Sequence, residues 1–129
     1  MSNPNAAITA IQGWAPDYVL TNAELEEMVD TNDEWIMTRT GIKERRLAAR
    51  NQATSDLGYE AALPALEAAG IKAKDLDLIV VATCTPDAPM PASACYLQRR
   101  LGAKKAAAFD LNAACTGFIY GLAVADGMI

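Results

Sequence analysis

The segment that most constrains the fold is LDLIVVAT at positions 76–83, a run of apolar and largely β-branched residues. Such a run is typical of a strand that is covered on both faces. A proline-rich loop follows it, then a helical pattern over 92–101 that Gly102 ends, and a second strand pattern over 106–111. Strand, helix and strand in this order predict a βαβ unit with parallel strands, and therefore an α/β fold.

Local signals predict three elements before this unit. A strand is expected over residues 6–14. Thr21 and Glu24 have the spacing of a capping box, which predicts the start of a short helix. A second short helix is predicted over 33–38, closed by Gly41.

A basic stretch without clear periodicity separates these elements from the next helix. The stretch covers residues 43–50, and a solvated charged face is favoured over steering of an acidic partner. The helix is predicted from Ser55 to the residue before Gly70, with a kink or short break at Pro64. The basic side chains are Lys43, Arg45, Arg46 and Arg50.

The last twelve residues predict a helix that is apolar on nearly every side. Phe118, Leu122 and Ala125 share one stripe, and Ile119 and Ala123 extend the apolar surface around the cylinder. A helix of this kind is normally buried all round, which one sheet cannot achieve. We therefore expect cover from outside the chain, and expect residues 1–129 to be one incomplete half-domain of a larger protein.

Composition excludes several classes of function. The chain contains no histidine, so it cannot supply a histidine base, and most zinc sites are excluded. Its net charge of −5 argues against nucleic-acid binding. Neither a signal peptide nor a membrane-spanning run is recognisable, so we expect a cytoplasmic location without membrane association.

Cys115 is the candidate nucleophile. It follows the predicted strand FDL and opens the apolar helix, and a helix N-terminus stabilises a thiolate. The same backbone N–H groups can help to hold an oxyanion formed when the sulfur attacks a thioester. From spacing alone, a small core cysteine is an equal alternative. The other cysteines, Cys84 and Cys95, lack ligand-like spacing and are expected to serve packing.

Three stretches of the sequence resemble β-ketoacyl-acyl carrier protein synthase III, a condensing enzyme of the thiolase superfamily. They are TNAELEEMVDTNDEWIMTRTGIKERR, DLDLIVVATCTPDAPMPASACYLQRRLGAKKAAAFDLNAACTGF and YGLAVADG. The resemblance implies the N-terminal half of a thiolase-like fold, with a mixed, largely parallel sheet and a buried helix that bears the nucleophile. It also implies that Cys115 accepts an acyl group from acyl-CoA and then condenses it with malonyl-acyl carrier protein, initiating fatty acid synthesis.

The same resemblance implies roles for residues outside the cysteine segment. Thr31, Trp35 and Arg39 correspond to positions that contact the adenine end of CoA, and four-residue spacing puts Trp35 and Arg39 on one helix face. Met90 corresponds to a residue that lines the acyl pocket across a homodimer interface. For Trp35 and Arg39, the alternative to CoA contact is a stack that only stabilises the fold. For Met90, the alternative to pocket lining is an ordinary interface methionine.

The resemblance implies a reaction without metal or cofactor, because acyl-CoA is a substrate. The histidine and asparagine that stabilise the enolate and oxyanion in the family lie in its other half, so we expect the isolated chain to be inactive. The alternative from another class is a non-catalytic half-domain that binds CoA weakly or dimerises. A Rossmann-like dinucleotide binder is disfavoured because the chain has no GxGxxG motif.

Overall fold

The computed structural model describes residues 6–129, which form two compact units. The larger contains residues 6–14 and Ala53–Ile129, and the smaller contains Ala15–Gln52. The strands are β1 (Tyr18–Thr21), β2 (Glu44–Leu47), β3 (Leu78–Ala82) and β4 (Ala107–Leu111). The helices are α1 (Asn22–Glu26), α2 (Asp33–Thr40), α3 (Thr54–Ala69), α4 (Ser93–Leu101) and α5 (Gly117–Met128).

The larger unit contains the predicted βαβ unit. β3 and β4 pair in parallel, from Leu78 opposite Ala107 to Ala82 opposite Leu111, with α4 between them in the chain. Gly102 ends α4 in the left-handed conformation that glycine adopts without strain. The core lies between the strands and α4, which confirms the α/β prediction. Its buried members are Ile79, Ala94, Leu97, Ala103 and Ala106.

β3 has a helix on each face. Ile79 and Val81 pack into the core with α4. Leu78, Val80 and Ala82 line an apolar groove of about 810 Å³ beside α5. The alternation of side chains along a strand explains this division. The predicted cover on both faces is met only in part within residues 6–129, since Leu78 and Val80 are half-buried and Ala82 is exposed.

The described residues do not enclose α5. Its Phe118 and Ile119 side chains are each 64% exposed, and Gly117 is its buried residue. The predicted burial of this helix on every side is therefore not met within residues 6–129. The physical reason is that β3 packs against one side of the cylinder and leaves the others open.

The smaller unit is built on an antiparallel pair. β1 pairs with β2, with Leu20 opposite Arg45, and α1 and α2 lie between them in the chain. Both helices begin as predicted, with Thr21 and Glu24 forming the capping box of α1. α2 continues two residues past the predicted end at Thr38 before Gly41 closes it. Within the described residues the two pairs form separate two-stranded sheets, β1–β2 antiparallel and β3–β4 parallel.

One predicted element is absent, and two other segments differ from what the sequence patterns indicated. The strand expected over 6–14 is absent from its described residues, which form no strand ladder, and Ile8 and Ile11 are exposed. β2 lies in the basic stretch that showed no period, because its pairing with β1 decides its conformation. α3 continues through Pro64, so of the predicted kink or short break the break does not occur.

Candidate active site

Cys115 lies between the carboxyl end of a parallel strand and the start of a helix. β4 ends at Leu111, a single 3-10 turn covers Ala114–Thr116, and α5 begins at the next residue. The Cys115 side chain is exposed. Ligands of open α/β sheets bind at the carboxyl ends of the strands, so the sulfur lies where a substrate could reach it.

The backbone before Cys115 is strained. Ala114 has a φ of +46°, and it is the only described residue other than glycine that has a positive φ. Such a conformation costs roughly 1–2 kcal/mol in an L-residue. The turn is closed by the Thr116 hydroxyl, which donates to the Ala113 carbonyl at 2.7 Å. The strain therefore lies at Ala114, whose backbone conformation sets the direction in which the chain enters Cys115.

Close packing of α5 on β3 fixes the other side of this turn. A Cβ atom placed on Gly117 would lie 3.2 Å from the Cβ of Ala82, the last residue of β3. That separation is too tight for most side chains, so glycine allows the helix to begin against the strand.

The remaining cysteines occupy different surroundings. Cys95 is half-buried on α4, with its Sγ 3.9 Å from the Ala108 carbonyl oxygen, as expected of a packing residue. Cys84 is exposed in the loop after β3, against the prediction that it packs. Exposure alone therefore does not distinguish Cys84 from Cys115.

Trp35 and Arg39 form a contact on α2 in the smaller unit. The Arg39 Cζ lies 4.9 Å from the centroid of the Trp35 ring, which is within the range of a cation–π interaction. Trp35 is 53% exposed, so part of the indole surface is free to contact a planar ligand. Thr31 is half-buried immediately before Asn32, whose side chain accepts the Trp35 N–H at 2.8 Å.

Asn22 holds this helix in place, and sequence reasoning missed it. Its side chain is buried, and its Nδ2 donates to Asp33 Oδ1 at 2.7 Å and to the Ile42 carbonyl at 2.9 Å. Its Oδ1 accepts from Arg45 at 2.8 Å. The only local signal is an asparagine at the first position of a helix, which gives no hint of these distant partners.

Part of the basic stretch makes hydrogen bonds within the smaller unit. Arg45 bonds Asn22, and Arg46 donates to the carbonyls of Pro16 and Asp17. Two of the four basic side chains therefore stabilise the smaller unit, but only Arg45 is half-buried; Lys43, Arg46 and Arg50 are exposed, in agreement with the expected solvated face.

Met90 projects from the loop between β3 and α4, between Pro89 and Pro91. Its side chain is 85% exposed, an unusual position for a large apolar residue. Across residues 6–129, no cluster of acidic, cysteine or histidine side chains is suited to a metal ion. No helix in that range has the length and apolar character needed to span a membrane.

No protein-family model matches the chain. It is 57% identical over 124 residues to beta-ketoacyl-[acyl-carrier-protein] synthase III of Xylella fastidiosa (strain Temecula1), and 58% identical over 124 residues to that of Geobacillus kaustophilus. Both alignments cover 96% of this chain, but only 38% and 40% of the relatives. The chain thus spans about two fifths of the length of the curated proteins it matches.

Solved structures give the same result. The 3-oxoacyl-[acyl-carrier-protein] synthase III of Aquifex aeolicus superposes with a TM-score of 0.88 at 48% identity, over 94% of this chain and 39% of that one. The priming beta-ketosynthase of the R1128 polyketide pathway superposes with a TM-score of 0.88 at 35% identity, over 95% and 36%. The chain is therefore homologous to part of these condensing enzymes and has their thiolase-type fold, which confirms the resemblance found in the sequence.

Proposed function

We propose that this chain is the nucleophile-bearing part of a condensing acyltransferase of the β-ketoacyl-acyl carrier protein synthase III type. The observation that carries the proposal is the exposed Cys115 at the junction of β4 and α5, in a chain homologous to synthases III over 96% of its length. An exposed cysteine on a strained turn before an apolar helix suits capture of an acyl group better than packing.

In the first step, the Cys115 sulfur attacks the carbonyl carbon of an acyl-CoA thioester. A new carbon–sulfur bond forms to Cys115, the bond to the CoA sulfur breaks, and the departing CoA thiolate takes up the proton that the cysteine gave up. The N–H groups at the nearby start of α5 would stabilise the negative charge that develops on the tetrahedral oxygen.

In the second step, malonyl-acyl carrier protein loses CO2. The electron pair of the broken carbon–carbon bond attacks the acyl-cysteine carbonyl, Cys115 leaves as thiolate, and β-ketoacyl-acyl carrier protein is released. The family stabilises the enolate and oxyanion with a histidine and an asparagine. Because these 129 residues contain no histidine and span about two fifths of the relatives, we assign those groups to polypeptide outside this chain.

Substrate binding involves the smaller unit and the Met90 loop. Trp35 would stack on the adenine of CoA, with Arg39 and Thr31 beside it, and the exposed indole with its adjacent guanidinium supports this role. Met90 would line the acyl pocket, and its exposure supports a contact with another surface. The complete synthase would act as a cytoplasmic homodimer without cofactor, metal, nucleic acid or membrane.

The test is acylation of the complete synthase, meaning the polypeptide that contains this chain and the catalytic partners. After incubation with acetyl-CoA, intact-mass and peptide analysis should find one hydroxylamine-labile acetyl group on Cys115. Cys115→Ala should abolish it, and Cys84→Ala, which removes the other exposed cysteine, should retain it. Acylation elsewhere, or at no residue, contradicts the proposal.

The non-catalytic alternative draws support from the exposed side chains of Trp35 and α5. For a half-domain that only binds CoA, calorimetry should detect the binding. For this half-domain, or for one that only self-associates, Cys115 should stay unmodified even when its catalytic partners are present. Transfer of the acyl group to Cys115 in that setting excludes this alternative.

A further inference from the structure

Asp87 ties the base of the Met90 loop to the first turns of two helices. Its Oδ1 accepts the Ser55 N–H of α3 at 2.9 Å, and its Oδ2 accepts the Ser55 hydroxyl at 2.5 Å. Its own N–H donates to the Ser93 hydroxyl of α4 at 2.9 Å. One residue of the loop thereby fixes the loop against both helices.

The serine partners of Asp87 are buried, and the hydrogen bonds continue into β4. Ser55 is buried, and Ser93 has no exposed surface. The N–H groups of Ser93 and Ala94 donate to the two carboxylate oxygens of Asp110 at 2.7 and 2.8 Å. Hydrogen bonds in such surroundings are stronger than exposed ones, so the base of the loop is held to the strand that leads to Cys115.

The tip of the loop has no such anchors. Among hydrogen bonds of the described residues, none involves positions 88–91. Pro89 and Pro91 each fix a backbone dihedral on either side of Met90, so the tip is stiff. The direction in which Met90 projects is therefore set at the base.

We propose that Asp87 is a positioning residue for acyl-chain selectivity, because it fixes the orientation in which the loop presents Met90. The inference rests on the proposed function, in which Met90 lines the acyl pocket. Asp87 touches no reacting atom and acts through the loop.

The test compares kcat/KM for acetyl-CoA and butyryl-CoA in the complete synthase. Asp87→Ala should reduce the preference for the better substrate about tenfold, since pocket contacts discriminate one or two methylenes by that order. Asp87→Asn should retain the preference, because the amide oxygen can accept the Ser55 N–H while its NH2 donates to the Ser55 oxygen.

Asp56→Ala is the matched control. Asp56 also lies in the first turn of α3, where it accepts the Ala53 N–H at 2.8 Å and pairs with Arg100, but it makes no hydrogen bond to the loop. This variant should lower stability without changing substrate preference. Hydrogen exchange over residues 83–92 should accelerate in Asp87→Ala and not in Asp56→Ala.

A double-mutant cycle with Met90→Ala tests whether Asp87 acts through the loop tip. In the Met90→Ala background, Asp87→Ala should change the preference no further. Additive effects, an unchanged preference in Asp87→Ala, or an equal change in Asp56→Ala would overturn the inference and leave the proposed function intact. A parent synthase that acylates no cysteine overturns the proposed function itself, and the selectivity role with it.

Discussion

At the scale of single residues, three cysteines of one chain differ in accessibility and in backbone setting. Cys95 is half-buried on a helix, Cys84 is exposed on a loop, and Cys115 is exposed beside a strained residue and a helix N-terminus. In a labelling experiment, Cys84 is therefore the control for solvent exposure, and Cys95 is the control for burial.

We predict that iodoacetamide alkylates Cys115 of the complete synthase faster than Cys84 near neutral pH, with Cys95 slowest. The proposed function requires a reactive sulfur at Cys115, and the thiolate is the reactive form of a cysteine. Peptide mapping after limited labelling measures the three rates. Equal or slower labelling of Cys115 relative to Cys84 would count against an activated nucleophile.

Trp35→Ala combined with Arg39→Ala should raise the KM for acyl-CoA about tenfold in the complete synthase, with little change in kcat. Loss of a stacked indole and its cation removes binding that is equal in the ground and transition states. Steady-state kinetics measures the change, and Thr38→Ala on the same helix is the control. If KM is unchanged, the pair serves structure alone.

At the scale of elements, the helices can be predicted from local sequence signals, but the distant residues that anchor them cannot. Short-range signals mark these helices: a capping box starts α1, and a glycine follows each of α2, α3 and α4. The structure confirms all four helices. Asn22 meets Arg45, 23 residues away, and Asp87 meets Ser55, 32 residues away. No periodicity marks such partners in the sequence.

Asn22→Ala should lower the free energy of unfolding of the smaller unit by roughly 2–3 kcal/mol. The substitution removes the hydrogen bonds that the buried Asn22 side chain makes to Asp33, Ile42 and Arg45, and each such bond contributes about 0.5–1.5 kcal/mol. Urea unfolding followed by tryptophan fluorescence measures the loss. Asn51→Ala, at an exposed position of the same unit, should change stability by less than about 0.5 kcal/mol; equal losses would contradict the role of Asn22.

Asp87 should contribute acid-sensitive stability. Burial raises the pKa of Asp87, but hydrogen bonds from Ser55 and Ser93 lower it by more, so the pKa lies below its ordinary value of 3.8. A carboxyl with a lowered folded-state pKa stabilises the fold above its unfolded pKa, and that stabilisation is lost as pH falls through the folded value.

The stability difference between the parent and Asp87→Asn should therefore be largest above about pH 5 and shrink as the pH falls below about 4. Urea unfolding at a series of pH values measures it. Ser55→Ala should remove part of the same pH dependence, since it deletes one of the bonds responsible. A difference that is constant with pH would contradict the assignment.

At the scale of the whole molecule, the chain displays the proposed nucleophile and an apolar helix, and it lacks the histidine that the proposed reaction requires. The α5 side chains are largely exposed, and the sequence contains no histidine. The domain boundaries expected from the sequence, a single incomplete half over residues 1–129, remain a prediction.

The purified 129-residue chain should form no detectable β-ketoacyl product from acyl-CoA and malonyl-acyl carrier protein. The enolate and oxyanion would lack their stabilising groups, and loss of one such donor alone lowers kcat by about 10²–10³-fold. Chromatographic product analysis measures this, with the complete synthase as positive control. Condensation by the chain, with full-length contamination excluded by mass, would contradict the prediction.

The sequence by itself determined the βαβ unit, the helix ends and the candidate nucleophile, because these depend on patterns and caps within a few residues. Only the tertiary structure decided that residues 44–47 form a strand, that residues 6–14 do not, and that Asn22 and Asp87 hold the elements around the site. Strand ladders and buried anchors join residues tens of positions apart. Their energies exist only once the chain has brought those partners within hydrogen-bonding distance.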